Sequence, residues 1–275
     1  MNIKLLIIKI IRRIKTYIWR IKVKSNPNEV HIFTLANGAK FSYPLNTAVG
    51  CNLYRNNFEV QELSFFERSI QEGSVVFDIG ANGGLYSLIA SRKAGKSGNI
   101  YAFEPGKAEL EILHRNLSIN SCDNVEVIEK AVSDHSGQSK FAISKDGAMN
   151  SLMETEHLYQ SITHWQTIEL ISLDAFIQHN NISKVDFIKV DVEGAEELVF
   201  KGATKLLSSP SPPTLLFEGC NSTLATFGCS AEDLINGIQE FGFSVYSLNF
   251  NGELIPVSEN NPTMNGKIYN FIAKK

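Results

Sequence analysis

From residue 75 onward the chain alternates between short β-prone apolar runs and helical runs, and no other feature limits its fold as strongly. Val75–Ile79 reads as a strand, 83–94 as a helix, Ile100–Glu104 as a strand, 107–119 as a helix and Val125–Ala131 as a strand. After a polar stretch the pattern resumes with helix 172–180, strand Val185–Val190, helix 193–207 and strand Thr214–Glu218. A helix over 230–241 and strands Phe243–Leu248 and Lys267–Ala273 complete the series. Strands joined through helices run parallel, and the helices then cover both faces of the sheet. The Pro/Ser connection Ser208–Pro213 does not interrupt the alternation, so it is a loop inside one α/β domain. That domain is expected over 58–275, with an apolar-periodic helix over 58–71 leading into it.

Strand Val75–Ile79 runs into Asp78-Ile79-Gly80-Ala81-Asn82-Gly83-Gly84, followed by Leu85-Tyr86-Ser87 at a helix start. Glycines at such a turn let a ligand approach the backbone beside the positive end of a helix. The spacing is D-x-G-x-N-x-G, which fails the GxGxxG dinucleotide fingerprint at its second glycine. The next strand ends in Phe103-Glu104-Pro105, which sets an acid at the carboxyl edge beside the turn. An acid there can accept hydrogen bonds from both hydroxyls of an adenosine ribose. A glycine-rich turn alone could be a tight strand-to-helix connection; the acid ending the neighbouring strand points to nucleoside binding.

These segments resemble the FkbM-type methyltransferases, which use S-adenosylmethionine. The resemblance rests on VFDIGANGGLYSL (76–88), YAFEP (101–105), VIEKAVSD (127–134), DFIKVDVEGAEELVFKGA (186–203) and NFIAKK (270–275). Its most specific piece is the pattern Lys189, Asp191, Glu193, Gly194, Glu196, and it covers about residues 58–275. It implies a seven-stranded, Rossmann-like class I methyltransferase sheet with the last strand antiparallel. It further implies that Asp78, Gly80, Asn82, Gly83 and Ser87 surround the methionine part of the cofactor and Glu104 its ribose. Ala131 and Val132 would flank the adenine, and Asp191 would lie near the transferred methyl. Gly83-Gly84 departs from the family pattern, which has an apolar residue before the second glycine.

Methyl transfer from a sulfonium is an in-line displacement, so an enzyme mainly orients donor and acceptor. An alcohol acceptor also needs a base or a metal at its proton. Asp191, Glu193 and Glu218 are expected at strand ends, where they can hold acceptor hydroxyls, act as base or offer oxygen ligands to a divalent ion. Glu193 and Glu196 would equally serve as acids in a first helical turn, and Asp191 as a cap. Lys189, on the strand itself, is suited to pairing with an acid below the site. His135, His157 and His164 fall in the polar stretch, where a surface role is the common explanation. Asn150 and Ser151 belong to a segment that resembles a family loop lining the acceptor side. No His/Cys cluster suggests zinc, and no P-loop or Gly-x-Ser-x-Gly signature is present.

The reading is an enzyme moving a methyl group from S-adenosylmethionine to a hydroxyl of a glycan, glycolipid precursor or other polyhydroxylated small molecule. Two other classes stay open. One is a non-catalytic cofactor-binding or scaffold protein of the same fold; the other, an NAD-linked oxidoreductase, is disfavoured by the failed fingerprint.

The 275-residue chain carries a net charge of only −3, but the charge is unevenly placed. Residues 1–24 hold eight basic side chains and no acid, while 25–275 keep 18 basic against 29 acidic groups, a net of −11. An acidic body is a poor partner for nucleic acid. On a helical wheel Ile3, Ile7, Ile10, Ile14, Tyr17, Ile18 and Ile21 share one face, opposite Lys9, Arg12, Arg13, Thr16 and Arg20, with Ile8 and Trp19 off the stripe. Such a helix over 1–25 can lie in an anionic membrane interface, pack on the domain as an ordinary helix, or serve as a mitochondrial targeting segment. Between it and the domain, residues 26–57 read as a hairpin extension: Val30–Leu35 and Ala39–Tyr43 flank Ala36-Asn37-Gly38. Four cysteines without paired spacing suggest free thiols in a reducing compartment, hence a cytoplasmic protein, peripheral on the inner membrane surface if the head binds there. No stretch approaches the roughly 18 apolar residues a spanning helix needs.

Overall fold

The structure, a computed structural model, describes residues 3–144, 150–152, 162–257 and 270–275, with side chains from residue 9 on. The chain divides into two compact units, Met1–Val60 and Gln61–Lys275. In the first, helix α1 (Ile3–Ser25) precedes the antiparallel hairpin β1 (Val30–Thr34) and β2 (Lys40–Pro44), then α2 (Ala48–Tyr54). Thr47 caps α2 by accepting the Gly50 N–H, and stacked Phe41 and Tyr43 fill the hairpin's buried side.

At the junction lies α3 (Val60–Ser69), and the α/β alternation follows. Its elements are β3 (Val75–Ile79), α4 (Leu85–Ala94), β4 (Asn99–Phe103), α5 (Lys107–Asn120), β5 (Val125–Ile128), β6 (Ala131–Val132), β7 (Gly137–Ser144) and β8 (Ile162–Ile171). After these come α6 (Leu173–His179), β9 (Phe187–Val190), α7 (Glu196–Lys201), α8 (Thr204–Leu207), β10 (Thr214–Glu218), α9 (Asn221–Leu224) and α10 (Ala231–Glu240). The chain closes with β11 (Ser244–Leu248), β12 (Leu254–Pro256) and β13 (Asn270–Lys274).

The main sheet has the order β12-β11-β13-β10-β9-β3-β4-β5. Strands β5, β4, β3, β9 and β10 are parallel, and β13 inserts antiparallel between β10 and β11. Among the described residues the seven expected strands are present with the last one antiparallel, and short β12 adds an eighth at the edge. Residues 267–269 of that last strand lie outside the described residues, and the expected Val125–Ala131 ends at Ile128. Strand β3 is buried along its whole length because it lies between β4 and β9, which explains its unbroken apolar run around Asp78. Phe77, Tyr101, Phe103 and Phe176 meet edge to face on one side of the sheet.

Two expectations need correcting. The helix over 193–207 is two helices, α7 and α8, separated at Gly202, and its first residues form a loop. The described residues of the polar stretch after β5 form a second, three-stranded sheet of order β6-β8-β7. Among the described residues no helix is long and apolar enough to cross a membrane, and all four cysteines are free thiols.

Candidate functional site

Parallel strands deliver their carboxyl ends to one edge, and the candidate residues collect there. In β3, Asp78 is fully buried; its Oδ2 accepts the Ser87 hydroxyl at 2.6 Å, while Oδ1 has no partner. Burial raises its carboxyl above the ordinary range, against the pull of Lys189, which pairs with it in register from β9. Ser87, also fully buried, thus supports Asp78 from the first turn of α4.

Next the chain turns at Gly80, whose φ is +74°. A Cβ there would lie 1.9 Å from the Asp191 carbonyl oxygen, so the turn and the loop after β9 touch only because residue 80 has no side chain. Asn82 has φ of +50° and accepts the Gly83 N–H on its Oδ1 at 2.7 Å. The Gly83 carbonyl takes a hydrogen bond of 2.8 Å from the fully buried Asn116 amide, which fixes the helix start where the two glycines stand.

Glu104 spans this turn and its own. Its Oε2 accepts the Asn82 N–H and its Oε1 the Gly106 N–H, each at 2.8 Å. Burial raises the carboxyl to about 7, further pushed by Glu109 and opposed by those N–H donors and Lys189. Its own N–H donates to the Ile128 carbonyl, which brings the end of β5 beside it. From there the chain passes to Ala131 and Val132, buried in β6 against Leu170 and Ile171 of β8.

The loop after β9 carries the acids. Lys189, only 6% exposed, reaches the Gly80 carbonyl and Asp191 Oδ2, both at 3.2 Å, and lies over the Tyr86 ring. Its acid partner is thus Asp191, a candidate of the site itself and a third exposed, and not an acid below the site. Glu193 has φ of +55° and Gly194 +102°; a Cβ on Gly194 would strike the Thr223 carbonyl at 2.4 Å. Glu196 is 1% exposed and its Oε1 accepts the Val192 and Gly194 N–H groups, so it binds the loop and is more than an acid at a helix start. Burial raises Glu196 to about 7.

Phe217 of β10 pairs with Val190 of β9, so Glu218 and Asp191 leave adjacent strands at the same level. Glu193 and Glu218 are both held well above the ordinary carboxylate range, first by burial and then by Asp191 and other acids nearby. Asp191, Glu193 and Glu218 are thus brought together. Among the described residues, no group of three or more His, Cys, Asp or Glu side chains is arranged to hold a metal ion. Ser151, fully buried, donates its hydroxyl to the Glu193 carbonyl at 3.2 Å, and Asn150 accepts from the Ser144 N–H.

The histidines do not join the cluster. His135 bonds Asp134 and His164 bonds Thr163, all exposed, and His157 lies outside the described residues. Sequence reasoning missed Asn116 and Glu109. Asn116 borders the stripe of Leu110, Leu113 and Leu117 on α5, and a polar residue at the edge of a core face was its one signal.

Strand order and the acid–glycine–acid edge define a class I methyltransferase fold. A family profile described as the methyltransferase FkbM domain matches residues 78–245, and the chain belongs to that family. It is 33% identical over 140 residues to the hexuronic acid methyltransferase AglP of Haloferax volcanii, covering 50% of this chain and 54% of that protein. It is 26% identical over 147 residues to methyltransferase 1 of Beauveria bassiana, covering 48% and 59%. The chain thus spans a little over half the length of these curated relatives. Solved structures similar to it include the precorrin-6y C5,15-methyltransferase of Geobacter metallireducens, with TM-score 0.43 and 17% identity over 79% of this chain and 89% of that one. Another is a SAM-dependent O-methyltransferase of Thermotoga maritima, with TM-score 0.42 and 15% identity over 88% and 76%.

Proposed function

We propose that the chain transfers a methyl group from S-adenosylmethionine to a hydroxyl of a glycan, glycolipid precursor or other polyhydroxylated small molecule. The observation that carries this reading is the abutment of two loops at one sheet edge. The Glu104-clamped glycine turn touches, at Gly80, the loop that bears Asp191 and Glu193.

The residues suit that cofactor. An unpaired, buried Asp78 oxygen and an acidic loop complement a cationic ligand, and Glu104 keeps lone pairs free for ribose hydroxyls beyond those used by Asn82 and Gly106. Asp78, Gly80, Asn82 and Gly83 would hold its amino-acid end, with Ser87 positioning Asp78, while Ala131 and Val132 would border the base. S-adenosylmethionine supplies an electrophilic methyl on a sulfonium. Asp191, held by its ion pair with Lys189, would align an acceptor hydroxyl. Glu218 and Glu193, whose proton affinity is raised by burial and by the neighbouring acids, are suited to accept its proton. The acceptor class is supported by AglP, whose name specifies a hexuronic acid.

Calorimetry with S-adenosylmethionine and S-adenosylhomocysteine tests the cofactor, and methyl-labelled cofactor with fractionated native extract identifies the acceptor. Wild type should bind both, Glu104→Ala should bind neither, and Glu218→Gln should bind yet transfer at least about a hundredfold more slowly. A folded wild type that binds neither, or a Glu218→Gln chain at full speed, rules out the cofactor or the base assignment respectively.

A further inference from the structure

Helix α1 docks by the face opposite to its apolar stripe. Its partly buried residues are Arg12, Lys15, Thr16, Trp19, Lys22 and Val23. Trp19 Nε1 donates to the Leu45 carbonyl at 2.7 Å, and Lys22 pairs with Glu29 at 3.2 Å. The stripe is left outside: Ile10, Ile11, Ile14, Tyr17, Ile18 and Ile21 are all between 41% and 67% exposed. At 100° per residue the centres of the two faces lie roughly 150° apart. A helix folded back to bury its apolar side would show the reverse, so the ordinary packing role considered for this segment does not account for it.

We infer that this outward face seats α1 flat on an anionic phospholipid bilayer, with the Trp19 face holding the rest of its unit. Charge selects the occupant. The segment has eight basic groups and no acid, so two copies meeting stripe to stripe would repel, whereas anionic headgroups attract. Position agrees with charge: on the wheel, Arg13 and Lys24, both exposed, border one edge of the stripe. Basic side chains there reach the headgroups while isoleucines enter the acyl boundary. The inference does not depend on the methyl-transfer reading, and its test leaves that reading untouched.

The full chain is incubated with vesicles of phosphatidylcholine alone and with phosphatidylglycerol added, then sedimented. Binding to the anionic vesicles alone is expected. Ile14→Glu with Ile18→Glu should weaken it roughly a hundredfold, since each apolar side chain removed from the acyl boundary costs about a factor of ten. Both positions are exposed, so the variant should keep the wild-type melting curve. Tyr17→Trp on brominated anionic lipid should gain a quenched tryptophan signal over wild type. Equal binding by the double variant, or no added quenching in Tyr17→Trp, overturns the inference. So does a dimer in solution that the double variant dissolves, which would identify a second copy as the occupant.

Discussion

Glu104 is a strut in the fold, and the proposed function makes it a binding group as well. Its carboxylate ties the Asn82 and Gly106 N–H groups together, yet burial lifts its proton affinity so that it ionises at about 7. In the unfolded chain the same group would ionise near 4.5. The folded state therefore binds the extra proton between those values, so this group's contribution to stability is full below the lower one and is lost as pH rises through the upper. Under the proposed function ligand binding would have the opposite sign, because ribose hydroxyls would donate to the ionised form. Cofactor affinity, followed by calorimetry, should be about tenfold weaker at pH 6 than at pH 8. A flat profile would mean that Glu104 stays ionised or does not contact the ribose.

Among elements, the loop between β9 and α7 depends most on side chains outside the strand pattern. Glu193 and Gly194 take positive φ, and Glu196 satisfies two of the loop's N–H groups from below. Glu196→Ala should cost about 2–3 kcal/mol in urea unfolding, because two N–H groups lose their buried acceptor, and should reduce methyl transfer. Glu196→Gln keeps an acceptor oxygen and should cost clearly less; equal losses would show that the hydrogen bonds are not what matters. The sequence placed this acid in a first helical turn and could not show the loop, because positive φ at Glu193 has no local signal. The hairpin of β7 and β8 was similarly opaque. Most of β8 is exposed before its last residues alternate, so the apolar pattern that marks a strand is weak there.

At the scale of the whole molecule, charge and burial separate two kinds of contact. The site's carboxylates and Lys189 are largely enclosed, whereas Arg13 and Lys24, which border the stripe of α1, are exposed. Salt screens exposed charges far more than buried ones. Raising ionic strength should therefore release the chain from anionic vesicles while leaving cofactor affinity nearly constant, as sedimentation and calorimetry on one sample would show. Parallel losses in both would mean that the two activities share one charged surface.

The sequence by itself determined the α/β alternation and set Asp78, Gly80, Glu104, Asp191 and Glu218 at or near strand ends, hence at one edge. Those follow from periodicity and from the rule that parallel strands end on the same side. Tertiary structure alone decided that Asn116 holds the glycine turn, that Glu196 braces the acidic loop, and that α1 turns its isoleucines outward. Each of these is a choice between faces or partners distant in sequence. Hydrophobic periodicity identifies a helix's apolar side, but only the surface it meets decides which side is buried.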